Sequence, residues 1–217
     1  MLTLKNYNSD AGGEVSALFP KPLYSNHLNR DFSNDEVQCF TDIALSTERN
    51  KDNSISTNAQ VLNDNRLSNL KKWFELCIND YFKNIISSEE DITPFITTSW
   101  LNFTKRGESH HEHAHPNSII SSVFYIDTDE TDKIQFHSEE AYHAQIVFSV
   151  NDKDYNTFNS KSWWLPVQTG KLILFPSSLR HSVPPVTSNR NRISLSFNVF
   201  VRGVLGSERD RTLLRLN

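Results

Sequence analysis

The chain changes its hydrophobic periodicity once, near residue 95, and that change limits its architecture more than any other feature. Before it, residues 64–86 (DNRLSNLKKWFELCINDYFKNII) repeat apolar side chains at three- and four-residue steps: Leu67, Leu70, Phe74, Cys77, Ile78, Tyr81, Phe82 and Ile85. Such a stripe predicts one amphipathic helix that packs on a sheet. After it come FITTSWLNFT, NSIISSVFYID, DKIQFHS, AQIVFSVND, SWWLPV, KLILFPSS and RISLSFNVFV, short runs rich in β-branched and aromatic residues with turn-formers between them. Closely spaced strand signals of this kind predict an antiparallel sandwich or barrel. Helices first and strands after predict a mainly β protein with N-terminal helices packed on one face of its core.

The segments upstream are less regular. LFPKPLYS, residues 18–25, carries two prolines and reads as an edge strand or extended entry. Residues 35–46 read as a short helix whose acidic start suits the positive end of the helix dipole. Residues 47–58 are polar and read as a loop. The run GSERDRTLLRLN, residues 206–217, is open between a helix, a dimer contact and a tail, so a homodimer stays open too.

Composition narrows the partners. The net charge of -4 carries no basic excess, so nucleic acid is not favoured as the main partner. The start, MLTLKNYNSDAGG, lacks the basic-then-apolar pattern of a signal peptide. No apolar run approaches the roughly 20 residues of a membrane helix. Cys39 and Cys77 form no C-x-x-C pair and read as buried free thiols, which fits a reducing cytosol and a cytoplasmic location.

The chemistry concentrates in ESHHEHAHPNS, residues 108–118, which holds four of the eight histidines. Extended side chains alternate between faces, so His111, His113 and His115 are expected on one face and His110 and Glu112 on the other. Two imidazoles at i and i+2 can hold one metal ion, and a third ligand must come from another strand. His181, directly after the apolar run LILFPSSLR, is the candidate. Neutral imidazole suits iron, zinc, copper and nickel. A solvated polar loop is the competing explanation. His27, His137 and His143 read as surface or structural, the last two flanking a strand near the site. In RISLSFN, residues 192–198, Arg192, Ser194, Ser196 and Asn198 alternate with Ile193, Leu195 and Phe197. A half-exposed strand has the same pattern, but arginine and serine on one face also make a carboxylate grip.

The order H-x-H, distal His, then R-x-S on the next strand resembles the double-stranded β-helix (jelly-roll, cupin-like) oxygenases that use Fe(II) and 2-oxoglutarate. FPKPLY, the helix around Trp73, SWLN, HAHPNSIISSVFYI, FPSSLRHSV and RISLSFN together resemble a prolyl-4-hydroxylase-like family of 2OG-Fe(II) oxygenases found in marine bacteria and their phages, over about residues 18–206. A phage origin would imply the bacterial host cytosol. The resemblance implies Fe(II) on His113, His115 and His181, with 2-oxoglutarate and O2 as cosubstrates. It implies that Arg192 and Ser194 bind the far carboxylate of 2-oxoglutarate, with further polar contacts from Tyr125 and Asn102. It implies hydroxylation of a small-molecule or peptide substrate with release of succinate and CO2. A length of 217 residues suits one domain over residues 1–217: an N-terminal layer to about 94, a jelly-roll core over about 95–205, and a tail over 206–217.

This chain departs from the wider pattern in three places. Position 115 is His rather than a carboxylate, so His110 with Glu112, a literal His-x-Glu, is the second choice of ligands. Ser122 and Asp132–Lys133 stand where relatives often have glycine. The rival readings are a three-histidine zinc hydrolase or lyase, and a non-catalytic jelly-roll binding protein. Trp100, Trp163 and Trp164 are expected mainly in the core, with the pocket wall as the alternative.

Overall fold

The computed structural model describes residues 11–13, 16–138, 149–150 and 153–217. Its framework is two antiparallel sheets. The larger runs β1 (Tyr24–His27), β9 (Lys171–Pro176), β6 (Ile120–Asp127), β11 (Arg192–Leu205), β4 (Ile92–Thr104), β3 (Asn53–Ser56), β2 (Thr47–Asn50), with β12 (Leu214–Leu216) added to β11. The smaller runs β5 (His110–His113), β10 (His181–Val183), β7 (Lys133–His137), β8 (Ser162–Pro166). The fold is a mainly β jelly roll, as the strand density predicts. The expected strand AQIVFSVND lies outside the described residues except for 149–150, and His143 lies outside them too.

Two helices cover the outer face of the large sheet. α1 (Asn34–Ala44) starts at a capping box: Ser33 accepts from the Glu36 N–H, and the Glu36 side chain accepts from the Ser33 N–H. Glu36 is buried, and Arg30 grips it with two hydrogen bonds of 2.7 and 2.8 Å. α2 (Ser68–Tyr81) presents the stripe read from the sequence, with Leu70, Phe74, Cys77, Ile78 and Tyr81 buried. A single π turn, Phe82–Ile86, follows it. Ile85 is 39% exposed, so the stripe ends at Phe82, because the wider turn rotates later side chains off the sheet.

The faces of β11, β4 and β6 decide where the site sits. Leu101, Phe124, Leu195, Phe197 and Val199 face the helices and form the larger core with Phe74 and Leu70. The opposite face holds Arg192, Ser194 and Ser196 opposite Thr104, Asn102 and Trp100 on β4. It looks into the space between the sheets. The farther part of that space is filled by Val123, Tyr125, Ile134, Phe136, Ile173 and Phe175. β9 lies between both cores, which is why KLILF is apolar on both faces.

Three expectations are corrected. Residues 47–58 are not a loop: β2 and β3 form a hairpin that pairs with β4 through Ser54↔Phe103 and Ile55↔Asn102. Main-chain bonds and buried polar side chains hold it, including Ser56, whose Oγ accepts from Leu101 N at 3.1 Å, so no apolar alternation marks it. The C-terminal run is the short strand β12 on β11, reached through Gly206 at φ +68°, where any Cβ would come within 2.4 Å of Thr212 O. Trp163 and Trp164 on β8 are 40% and 54% exposed rather than in the core, because among the described residues β8 is the edge of the small sheet. Cys39 and Cys77 are buried free thiols, as expected.

Candidate metal and cosubstrate site

His113 ends β5, His115 lies two residues on, just before a turn, and His181 opens β10. The sheet brings them together: His181 is the direct register partner of His113, and His115 N donates to Ser177 O at 3.0 Å. One ligand atom of each imidazole lies within 4.8 Å of the others. Ring centroids are 4.4 Å apart for His113–His181, 5.0 Å for His113–His115 and 5.2 Å for His115–His181.

Each ring is fixed by the same device. His113 Nδ1–H donates to His111 O at 2.8 Å and His181 Nδ1–H donates to Leu179 O at 3.1 Å. His115 Nδ1–H donates to Asn198 Oδ1 at 2.7 Å. A carbonyl oxygen only accepts, so the proton sits on Nδ1 and the Nε2 lone pair is left for a ligand. Such outer partners orient metal-binding imidazoles and raise their basicity. Asn198 is itself fixed, accepting from Ser121 Oγ at 3.2 Å and donating to Thr98 Oγ1 at 3.2 Å. Its role was not predicted, although it shares the polar face with Arg192 and Ser194, which is the signal that marked it.

The expected alternation fails at one position. The register shifts between His181 and Val183, and Val183 pairs with His110. The irregularity turns His110 to the cavity side, stacked on His113 with centroids 4.5 Å apart. Glu112 points outward, bonded to Arg180 Nε at 2.5 Å with His137 Nδ1 at 3.5 Å. The alternative His110–Glu112 ligand pair is therefore not assembled. His110, His111 and His113 form a second grouping within 4.8 Å, but it shares His113, and His110 Nε2 faces the Asn50 amide at 3.4 Å.

Burial keeps these rings neutral. It lowers His113 to about 4 and His110 to about 3, and it lowers His115 and His181, with neighbouring imidazoles adding to the effect for all but His115. The Asn198 bond opposes the shift at His115. Neutral imidazole is the form that binds metal. A base whose folded pKa is depressed leaves stability intact above its unfolded value, about 6.5, and loses it as pH falls toward the folded value. Metal-free protein is therefore expected to lose up to about 1.4 kcal/mol per pH unit for each such histidine below roughly pH 6.5. Denaturant melts across pH 4–7 check this; a flat profile contradicts it.

The histidines line a narrow cavity of about 30 Å³, whose other walls include Trp100, Asn102, Arg192, Ser194 and Ser196. Trp100 stacks on His115 at 5.7 Å and donates from Nε1 to Asn102 Oδ1 at 3.3 Å. Asn102 Nδ2 donates to Ser196 Oγ at 3.1 Å, so its amide is engaged at both ends. Arg192 is buried, with its guanidinium 5.2 Å from the centre of the Tyr125 ring. Burial raises the Tyr125 phenol to about 12, which keeps it a neutral donor, with Arg192 opposing the shift. Among the described residues Arg192 Nε, Tyr125 OH and Thr104 Oγ1 are buried without a hydrogen-bond partner. Buried donors left open around a guanidinium fit an anionic ligand. Thr104 was not predicted; only the register opposite Arg192 reveals it.

Two sheets, three imidazoles with ligand atoms within 4.8 Å of one another and a buried arginine lining the same cavity fit a metal-dependent jelly-roll enzyme that takes an anionic cosubstrate. Residues 98–198 match the model of the family described as "Putative 2OG-Fe(II) oxygenase", a span that contains every candidate site residue. Over that span, just under half of the chain, the sequence is similar to the 2OG-Fe(II) oxygenases. No curated protein matches its sequence. Solved structures of similar fold include the epimerase SnoN from nogalamycin biosynthesis in complex with Fe3+, alpha-ketoglutarate and nogalamycin RO, with TM-score 0.57, 10% identity, and 84% of this chain and 81% of that chain covered. HygX from Streptomyces hygroscopicus, with nickel and 2-oxoglutarate bound, gives TM-score 0.56 at 8% identity over 82% of each chain. A prolyl hydroxylase from Trichoplax adhaerens, in complex with a hypoxia inducible factor peptide fragment, gives 0.51 at 13% identity over 82% of each chain. No helix among the described residues is long and apolar enough to cross a membrane.

Proposed function

We propose that this protein is a 2OG-Fe(II) oxygenase that holds Fe(II) on His113, His115 and His181, and the far carboxylate of 2-oxoglutarate on Arg192, Ser194 and Tyr125. The observation that carries the reading is the shared tautomer: three imidazoles with Nδ1 tied to oxygen acceptors and Nε2 open. Iron with 2-oxoglutarate and O2 supplies oxidation of an unactivated C–H bond, with succinate and CO2 as by-products. The protein's own part is orientation. Asn198 fixes His115, and the open donors around Arg192 hold the cosubstrate by its far end. Asn102 acts indirectly, locking Trp100 and Ser196 as cavity wall. We assign hydroxylation of a small molecule or peptide residue as the outcome. Residues 1–217 are read as one domain, since the helical layer and the β-core share one apolar core.

A three-histidine zinc enzyme would use the same imidazoles but leaves the donors around Arg192 without a ligand. Anaerobic titration of Fe(II)-loaded protein with 2-oxoglutarate separates the two. A visible metal-to-ligand charge-transfer band that saturates below millimolar cosubstrate is expected. Its absence overturns the proposal and makes zinc hydrolysis the reading to pursue.

A further inference from the structure

Five buried side-chain atoms among the described residues have no hydrogen-bond partner: Asn53 Nδ2, Thr104 Oγ1, His111 Nδ1, Tyr125 OH and Arg192 Nε. A folded interior keeps few such groups, and each calls for a reason. Four of them lie on consecutive strands of the large sheet, in the order β6, β11, β4, β3. Thr104 is the register partner of Arg192, and Ser194 is the partner of both Tyr125 and Asn102. Ser54 pairs with Phe103 and Ile55 with Asn102. Asn53, one residue before Ser54, therefore flanks Thr104 and shares the inward face with Ile55 and Asn102.

All four groups donate. An amide, two hydroxyls and a guanidinium in one buried row can all donate to an anion. The direction of the Asn53 amide follows from its neighbour. Asn50 Nδ2 donates to Asn53 Oδ1 at 3.3 Å, so the acceptor end is engaged and the N–H end is free. The same Asn50 amide reaches His110 Nε2 at 3.4 Å, and Arg49 pairs with Glu108. The hairpin is thus fastened beside the histidine strand, with the Asn53 side chain buried and its Nδ2 without a partner.

We infer that Asn53 and Thr104 are cosubstrate-binding residues, extending the arginine site into a donor row for the far carboxylate of 2-oxoglutarate and making the β2–β3 hairpin part of that site. The inference rests on the role of Arg192 proposed above.

Two near-isosteric substitutions test it: Asn53→Asp, which replaces a donor by a charged acceptor, and Thr104→Val, which removes a hydroxyl. Each protein is loaded with Fe(II) and titrated anaerobically with 2-oxoglutarate, and its melting temperature is measured without cosubstrate. Affinity is expected to fall roughly tenfold or more in both, the loss expected for a hydrogen bond to a charged group. Thr104→Val is expected to melt no lower than wild type, because it deletes a buried unpaired hydroxyl. That pairing of signs is one a merely structural role would not produce. Wild-type affinity in Thr104→Val and Asn53→Asp overturns the inference while leaving the Arg192 reading intact. Should the buried carboxylate of Asn53→Asp prevent folding, Thr104→Val decides alone. Wild-type protein that gives no band removes the Arg192 reading and the inference with it.

Discussion

His181→Ala is expected to abolish iron binding and turnover together. His181 is 8% exposed, opens a strand paired to β5, and supplies the one ligand that no neighbouring histidine in sequence can replace. Loss of an outer partner of a metal ligand costs about 10–100-fold in affinity. Loss of the ligand itself is expected to exceed roughly a hundredfold in Fe(II) affinity, read by equilibrium dialysis or metal analysis. The His181 ring also packs on Phe175 with centroids 4.7 Å apart, so folding is checked by circular dichroism alongside. Glu112→Gln is the matched control. Glu112 is bonded to Arg180 outside the cluster, and its iron affinity is expected to stay within about twofold of wild type, since an outward surface pair contributes little. Iron retained in His181→Ala, or lost in Glu112→Gln, would overturn the assignment of His113, His115 and His181.

Arg192→Ala is expected to leave iron binding intact and to remove 2-oxoglutarate binding. A buried guanidinium facing a carboxylate is a bidentate charge-assisted contact, and truncating one partner of such a pair costs about 2–5 kcal/mol. That corresponds to roughly a 30-fold to several-thousand-fold loss in affinity. The charge-transfer titration reads it directly. Arg192→Lys keeps the charge and loses the planar fork, so an intermediate affinity is expected. The metal-free melting temperature of Arg192→Ala is measured alongside, because the guanidinium also packs 5.2 Å from the centre of the Tyr125 ring. Unchanged cosubstrate affinity in Arg192→Ala would mean that the carboxylate lies elsewhere, and activity retained without 2-oxoglutarate would favour the zinc reading.

Periodicity, charge and spacing determined much of this protein. The apolar stripe from Leu67 to Phe82 specifies a helix on a sheet, because a three- and four-residue repeat has one low-energy way to bury itself. The alternation in residues 192–198 specifies one wet and one dry face, because a strand turns each side chain by half a circle. H-x-H, a distal His and R-x-S could be read in one dimension, since each element is local. Tertiary structure decided the rest. The β2–β3 hairpin was invisible because polar residues held by main-chain pairing carry no hydrophobic period. His110 faces the cavity because of a register shift against β10, a property of the pair of strands and not of either one. Asn198 became the partner of His115, Thr104 the register partner of Arg192, and Asn53 a residue beside Thr104, only through pairing between residues distant in sequence. Local order follows from the chain's own repeat, whereas the convergence of donors on one point depends on which strands pair and at what register.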